Sequence, residues 1–258
     1  MTHPFFTGTR FPRVFAHRGL VTAEGENSGV WENSAAAFAA ADAAGIEYIE
    51  TDCQVTADGD VVLFHDATIE RLAGDPRAVN SVSTRDLRAM FEDHGGLLTV
   101  EEALDGFPEA RFNIDVKTAT AIDSLGPTLR EHTHRVLLAS FSDRVRRDAV
   151  ASVLRSGARM RPAVSAGSAT IALIRALTAL HLSPARALAD IDALQIPEKQ
   201  GPVKVLTPAL LDAAHKHDTE VHVWTINDPA DMQRLVASGV DGVVSDRADL
   251  AYEVLHPQ

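Results

Sequence analysis

The 258-residue sequence is short of several things at once. Cys53 is its single cysteine, so an internal disulfide is impossible. No run of about 18 apolar residues occurs, which leaves no candidate for an integral membrane segment. Basic residues are outnumbered, 24 Lys and Arg against 36 Asp and Glu, for a formal net charge of −12. A duplex-binding protein shows a basic stripe, and an electrostatic membrane surface needs the same sign, so neither nucleic acid nor an anionic bilayer is an expected partner. A small anionic substrate survives this argument, because a metal ion with a few Arg and Lys can invert the field inside one cleft. Residues 1–13 are too short and polar to hold the apolar core of a secretory signal, so a cytoplasmic location is expected. The chain also lacks a glycine-rich phosphate loop after its first apolar run, where His17-Arg18-Gly19-Leu20 stands instead. That weakens the reading as a doubly wound open sheet.

What is present alternates. Short β-type runs lie at 14–16, 48–55, 61–64, 111–116, 136–140, 160–164, 193–196, 221–225 and 242–245. Several are continuously apolar, as in parallel strands buried on both faces. Helical patterns lie between them at 33–44, 84–91, 100–104, 121–131, 143–156, 168–180, 208–217 and 229–237. Asn33 or Ser34 caps the first of these and Gly45 stops it; Thr207-Pro208 and Asp228-Pro229 read as a cap followed by proline at the first helical position. Regular strand–helix alternation means βαβ units. Ala57-Asp58-Gly59-Asp60 is a hairpin signal, so runs 48–55 and 61–64 form one barrel strand with an antiparallel arm. Eight barrel strands remain. The expected fold is a (β/α)8 TIM barrel, which needs about 250 residues and would use the whole chain, 1–258, as one domain with an irregular excursion over 66–99.

The candidate chemistry sits at strand ends, where barrel enzymes keep it. Glu50 and Asp52 are two apart on one strand and share a face. Taken alone, such a pair is more often an exposed acidic edge, but Tyr48, Ile49 and Cys53 surround this one. Two close carboxylates repel unless a cation lies between them, which suits a hard divalent ion. Asn113, Asp115 and Lys117 share a face of another strand and could add a ligand and a phosphate contact; alone, Asp115 and Lys117 read as a structural ion pair. His17 and His65 each end an apolar run, and two imidazoles there suit general acid and base roles. Arg18 offers a fork for phosphate oxygens, and Gly19 a tight backbone path. His132, His134, His215, His217 and His222 read as capping or surface residues, His94 has no specific support, and Cys53 reads as packed rather than catalytic.

Taken in order, these pieces resemble the glycerophosphodiester phosphodiesterase family. The matching segments are Phe15-Ala16-His17-Arg18-Gly19, Glu32-Asn33-Ser34, the run Glu50-Thr51-Asp52 through Asp58-Gly59, and Val61 to Arg71 with His65-Asp66 at its centre. Asn113-Ile114-Asp115-Val116-Lys117, Ser140-Phe141, Val223-Trp224-Thr225-Ile226-Asn227 and Gly239 to Asp246 complete the order, so about residues 13 to 249 are covered. The resemblance implies a (β/α)8 barrel, a Ca2+ or Mg2+ ion, and hydrolysis of a small glycerophosphodiester to glycerol 3-phosphate and an alcohol. It assigns the metal to Glu50, Asp52 and Asp115, acid–base roles to His17 and His65, and phosphate contact to Arg18 and Lys117. Trp224 reads either as an apolar wall for substrate or as core packing.

The sequence departs from the family pattern in three places. Asp115 stands where glutamate is usual, one methylene shorter. The stretch between Gly19 and Glu32 is longer than usual and carries Glu24, Glu26 and Trp31 beside the mouth, Trp31 standing where proline is common. The last strand ends in Ser245-Asp246 rather than Thr-Asp. Two alternatives stay open: a related barrel enzyme acting on lysophospholipids or phosphoinositides, which would need an apolar entrance, and a non-catalytic binder of phosphate ligands.

Overall fold

The computed structural model describes residues 2–257. Its strands are β1 (Arg13–His17), β2 (Tyr48–Val55), β3 (Val61–Leu63), β4 (Arg111–Val116), β5 (Val136–Ala139) and β6 (Ala163–Val164). They continue with β7 (Ala193–Pro197), β8 (Lys199–Gln200), β9 (Val203–Lys204), β10 (Glu220–Trp224) and β11 (Gly242–Ser245). Eight of them run in the spatial order β6-β5-β4-β2-β1-β11-β10-β7, all paired in parallel. A parallel bridge from Ser165 to Ala193 joins the two ends, so the sheet closes into the expected (β/α)8 barrel. β3 lies antiparallel on β2, with Cys53 opposite Leu63 and the Asp58-Gly59 turn between them. The turn signal thus marked the arm correctly.

Helices Thr84–Phe91 and Pro229–Ala237 match the sequence pattern end for end, because each has a cap that states its start, Ser83 and Asp228. Run 160–164 shrinks to the two residues of β6. Pro162 has no N–H for the ladder, so pairing starts only after it. Among the elements that escape the sequence patterns are the hairpin β8–β9, too short for a period, and the helices Ala23–Asn27, Glu70–Ala73, Ala185–Leu188 and Ala248–Leu255.

The barrel interior is split by height. Its lower half is apolar, with Phe15 and Tyr48 meeting Phe5 and Phe6 of the N-terminal turn Pro4–Phe6, which plugs the bottom. Arg13 spans this floor, donating to Glu220 Oε1 and Oε2 at 2.7 and 2.6 Å and to the Tyr48 hydroxyl at 2.9 Å. His222, expected as a capping or surface residue, is fully buried here: it packs on Phe15 at 4.7 Å between ring centres and pairs with Glu220 at 3.0 Å. The period-2 face of β10 turns it inward, which a single short run does not reveal. Burial works to raise the Glu220 pKa, yet hydrogen bonds from Arg13 and His222 and their positive charge hold it down to about 2. A depressed carboxylate stabilises the fold above its unfolded pKa and loses that contribution as pH falls through the folded one. Glu220→Gln should therefore lower stability at pH 7 by about 3 kcal/mol. The gap from wild type should close between 4.5 and about 2, measured as Tm against pH; a gap constant across that window would remove Glu220 from the acid response.

The excursion after β3 forms a satellite core of Phe64, Ile69, Val79, Leu87, Phe91 and Leu97. Trp31, in the lengthened first loop, packs edge-on against Phe91 and stacks flat on His94 at 3.8 Å, while His94 Nδ1 bonds the Gly29 carbonyl at 2.6 Å. The long loop is therefore anchored to the excursion, and His94 serves that joint.

Candidate active site

Parallel register gathers the site. β1 and β2 align His17 with Glu50, and β2 and β4 align Asp52 with Asp115. All four side chains line one cavity of about 750 Å3, together with Arg18, His65, Lys117 and Trp224. Every site residue expected from the sequence thus reaches the same hollow at the C-terminal ends of the strands. The backbone turns sharply there. Arg18 and Gly19 both have positive φ, 59° and 83°, and a Cβ on residue 19 would meet Ala37 and Phe38 at 2.9 Å. Only glycine fits that second position, and the turn aims Arg18 back over the barrel.

The centre is a dense charge array. Lys117 Nζ stands 2.7 Å from Asp52 Oδ1 and 2.7 Å from Asp115 Oδ2. Arg18 donates from Nη1 to Glu32 Oε1 at 2.8 Å, and its Nε lies 3.4 Å from Asp52 Oδ2. Glu50 has no such cation against it. Burial first, then the Asp52 charge, push its pKa up to about 8. Burial likewise raises Asp115, with Lys117 opposing. Burial works against the Lys117 charge, but the two carboxylates outweigh it and raise its pKa.

Among the described residues, no three His, Cys, Asp or Glu side chains are drawn together as a ready coordination sphere. The donor chemistry nevertheless suits a hard cation. Three buried carboxylates share one pocket, and Asp115 Oδ1 and Asn113 Oδ1 are buried there without any hydrogen-bond partner. Unpartnered buried acceptors are costly, and an oxygen-seeking divalent ion is one way to satisfy them.

Each imidazole is held by its own carboxylate. His17 Nδ1 donates to Asp246 Oδ1 at 2.5 Å, and His65 Nδ1 to Asp66 Oδ1 at 2.6 Å. His17 Nε2 is left facing Glu50 Oε2 at 3.9 Å. Burial lowers the His17 pKa, but the Asp246 hydrogen bond and the Glu50 charge raise it further, for a net upward shift. Asp246 is itself steadied by Asn227 Nδ2 at 2.8 Å. Arg71 ties the two halves together: its Nε donates to Asp66 Oδ2 at 2.6 Å and its Nη2 to Glu32, the partner of Arg18. Sequence reasoning gave no roles to Asp246, Asp66, Glu32 or Arg71. For Asp66 the adjacency to His65 was a usable signal. For Asp246 the only signal is barrel closure, which sets Ala16 beside Ser245 across β1 and β11.

Asp246→Asn should lower kcat at least about tenfold with little change in KM, since it frees the His17 tautomer without touching the pocket wall. Steady-state kinetics check this; an equal loss confined to KM would make Asp246 a substrate contact instead.

Comparison with known proteins agrees with this geometry. The model of the glycerophosphoryl diester phosphodiesterase family matches residues 17–250. The chain is 38% identical to a probable glycerophosphodiester phosphodiesterase 2 of Mycobacterium tuberculosis, over 94% of this chain and 90% of that protein. Among solved structures, a putative glycerophosphodiester phosphodiesterase from Galdieria sulphuraria superposes with a TM-score of 0.72 at 20% identity, covering 96% of this chain and 99% of the other. An Oleispira antarctica phosphodiesterase in complex with the product sn-glycerol-3-phosphate gives 0.70 at 20% identity, covering 95% and 96%. On the strength of the family match and the relative at 38%, this chain belongs to the glycerophosphoryl diester phosphodiesterase family.

Proposed function

We propose that the protein hydrolyses glycerophosphodiesters to glycerol 3-phosphate and an alcohol, with His17 and His65 as the acid–base pair. The observation that carries this reading is the symmetry of the two imidazoles. Each sits at the cavity wall with its Nδ1 bound to a carboxylate, so each presents Nε2 for proton transfer. One takes the proton from the attacking oxygen, which belongs to water or to the substrate's own glycerol hydroxyl; in the second case the cyclic phosphate so formed is opened by water in a further step to give glycerol 3-phosphate. The other protonates the departing alkoxide as the P–O bond breaks. Arg18 and Lys117 hold the remaining phosphate oxygens, and the positive charge of both offsets what builds up there. Glu50, Asp52 and Asp115 would hold a Ca2+ or Mg2+ ion, which would supply Lewis-acid polarisation of the phosphate. Trp224, half-buried and edge-on to Phe141 at 6.0 Å, forms an apolar wall of the same cavity.

The relatives support the substrate class by name, and one structural neighbour holds sn-glycerol-3-phosphate. The test is a hydrolysis screen over glycerophosphocholine, glycerophosphoethanolamine and glycerophosphoglycerol, with added Ca2+, added Mg2+ or EDTA. Release of glycerol 3-phosphate that EDTA abolishes is expected. Activity that persists after thorough chelation would remove the ion. Thermal stabilisation by glycerol 3-phosphate with no hydrolysis of any diester would make the protein a binder.

A further inference from the structure

A second hollow, of about 340 Å3, shares no lining residue with the catalytic cavity. It lies among the helices Asp143–Arg155, Ser168–Ala179 and Ala185–Leu188 and the segments that lead into β6 and β7. The helix Ser168–Ala179 stands between the two. Ile171, Ala172 and Arg175 face the catalytic cavity, while Thr170 and Leu173 face the second hollow.

Four arginines line this hollow, Arg146, Arg147, Arg161 and Arg186, and among the described residues Asp190 is the one carboxylate that does. The sequence as a whole holds 36 acidic against 24 basic residues, so the local sign is inverted. Surface arginines are ordinarily neutralised by their neighbours, and Arg161 is: it donates to both oxygens of Asp192 and to the Pro162 carbonyl. The others are not. Arg146 is 7% exposed, and among the described residues its side chain makes one hydrogen bond, from Nη2 to Asp143 Oδ1 at 3.1 Å. That carboxylate also accepts from the Gly167 and Thr170 amides and from the Thr170 hydroxyl, so it is largely spent on starting the next helix. Arg146 Nε is buried with no partner. Burial lowers the Arg146 pKa, Asp143 opposes, and the Arg147 charge lowers it further. Asp148, next to Arg147, pairs with Arg144 instead. Among the described residues, Arg147 and Arg186 make no salt bridge, although both line the hollow.

The unmet groups suit one kind of anion. A carboxylate brings a single charge and two oxygens. A phosphate monoester brings about −1.5 to −2 at pH 7 and three acceptor oxygens, which suits three guanidinium groups. The hollow is roomier than a bare phosphate needs, and Val150, Leu173 and Ile191 give part of it an apolar lining. We propose that this hollow is a second ligand site, which takes a phosphate dianion, carried on a small organic group or free, between Arg146, Arg147 and Arg186. The site is separate from the diester hydrolysis proposed above, and binding is read without turnover, so the failure of either leaves the other standing.

The experiment is calorimetric titration of phenyl phosphate, inorganic phosphate and benzoate at low ionic strength with EDTA, where exposed charges are least screened. The proteins are wild type, Arg147→Ala/Arg186→Ala and Arg18→Ala, the last as a control for the catalytic cavity. Arg147 and Arg186 are exposed, so the double variant should melt within a few degrees of wild type. Wild type and Arg18→Ala should share one equivalent of phenyl phosphate that the double variant loses or binds at least about tenfold more weakly. Phenyl phosphate should bind there more tightly than inorganic phosphate; equal affinity would support the site with free phosphate as its ligand. Unchanged affinity and stoichiometry in the double variant would overturn the proposal. So would benzoate filling the site as tightly as phenyl phosphate, or all binding disappearing in Arg18→Ala.

Discussion

His17→Ala and His65→Ala should each lower kcat by about 10²–10⁴, the range that a positioned acid or base contributes. Neither should unfold the protein. Both side chains stand at the cavity wall, 19% and 31% exposed, and neither belongs to an apolar core cluster. A melting curve within a few degrees of wild type is expected beside the kinetic loss. The double variant should be little worse than the poorer single one, because acid and base act in one proton relay and their losses do not add. The two roles separate by leaving group. A diester of p-nitrophenol leaves without needing a proton, so the variant lacking the general acid should regain most of its rate on it, and the variant lacking the base should not. Full activity of either variant on glycerophosphocholine would remove that histidine from the mechanism. Equal rescue of both would mean that neither protonates the leaving group.

The barrel was legible because its strands announce themselves one at a time. β2 is buried over all eight residues, and Glu50 and Asp52 are its only charged ones. Those two acids are conspicuous on such a strand, so period-2 spacing singled out the pair, while the ligand set with Asp115 came from the family resemblance. The supporting carboxylates could not. Asp246 is more than two hundred residues from His17, and nothing local to Ser245-Asp246 says that the last strand closes on the first. Arg71 joins Asp66 to Glu32 across the excursion, a contact made by the path of an irregular segment. His222 failed for a related reason: its burial depends on the Phe5-Phe6 plug arriving from the N-terminal turn. The helix wall behind the cavity was visible as a helix at 168–180, but its alanines carried no chemical signal until the cavity was seen to run along them.

Lys117→Met should destabilise the protein more than any other single change at the site. The ammonium is the counter-charge shared by Asp52 and Asp115, at 2.7 Å from each, and both carboxylates are buried. Removing one member of a buried ion cluster leaves uncompensated charge, typically about 3–5 kcal/mol. Protonation tempers the loss. Asp115 is already raised by burial, and without Lys117 it rises further. A carboxylate whose folded pKa lies above its unfolded value binds a proton more readily in the folded state. Its cost is therefore smallest at low pH and grows as pH rises towards the folded pKa. The Tm deficit of the variant should widen from pH 5 to pH 8. Glu50, whose pKa the Lys117 charge helps to hold down, rises further without it and steepens the trend. Calcium or magnesium should then raise the Tm of the variant more than that of wild type, because an ion at Glu50, Asp52 and Asp115 would replace charge that the wild-type ammonium already supplies. Binding to the folded state alone gives about 2.7 kcal/mol at a hundredfold excess over Kd, a shift that calorimetry resolves. Turnover should stay low even with the ion restored, since methionine cannot hold a phosphate oxygen. A Tm that neither cation moves, in either protein, would mean that these carboxylates serve Lys117 and not a metal.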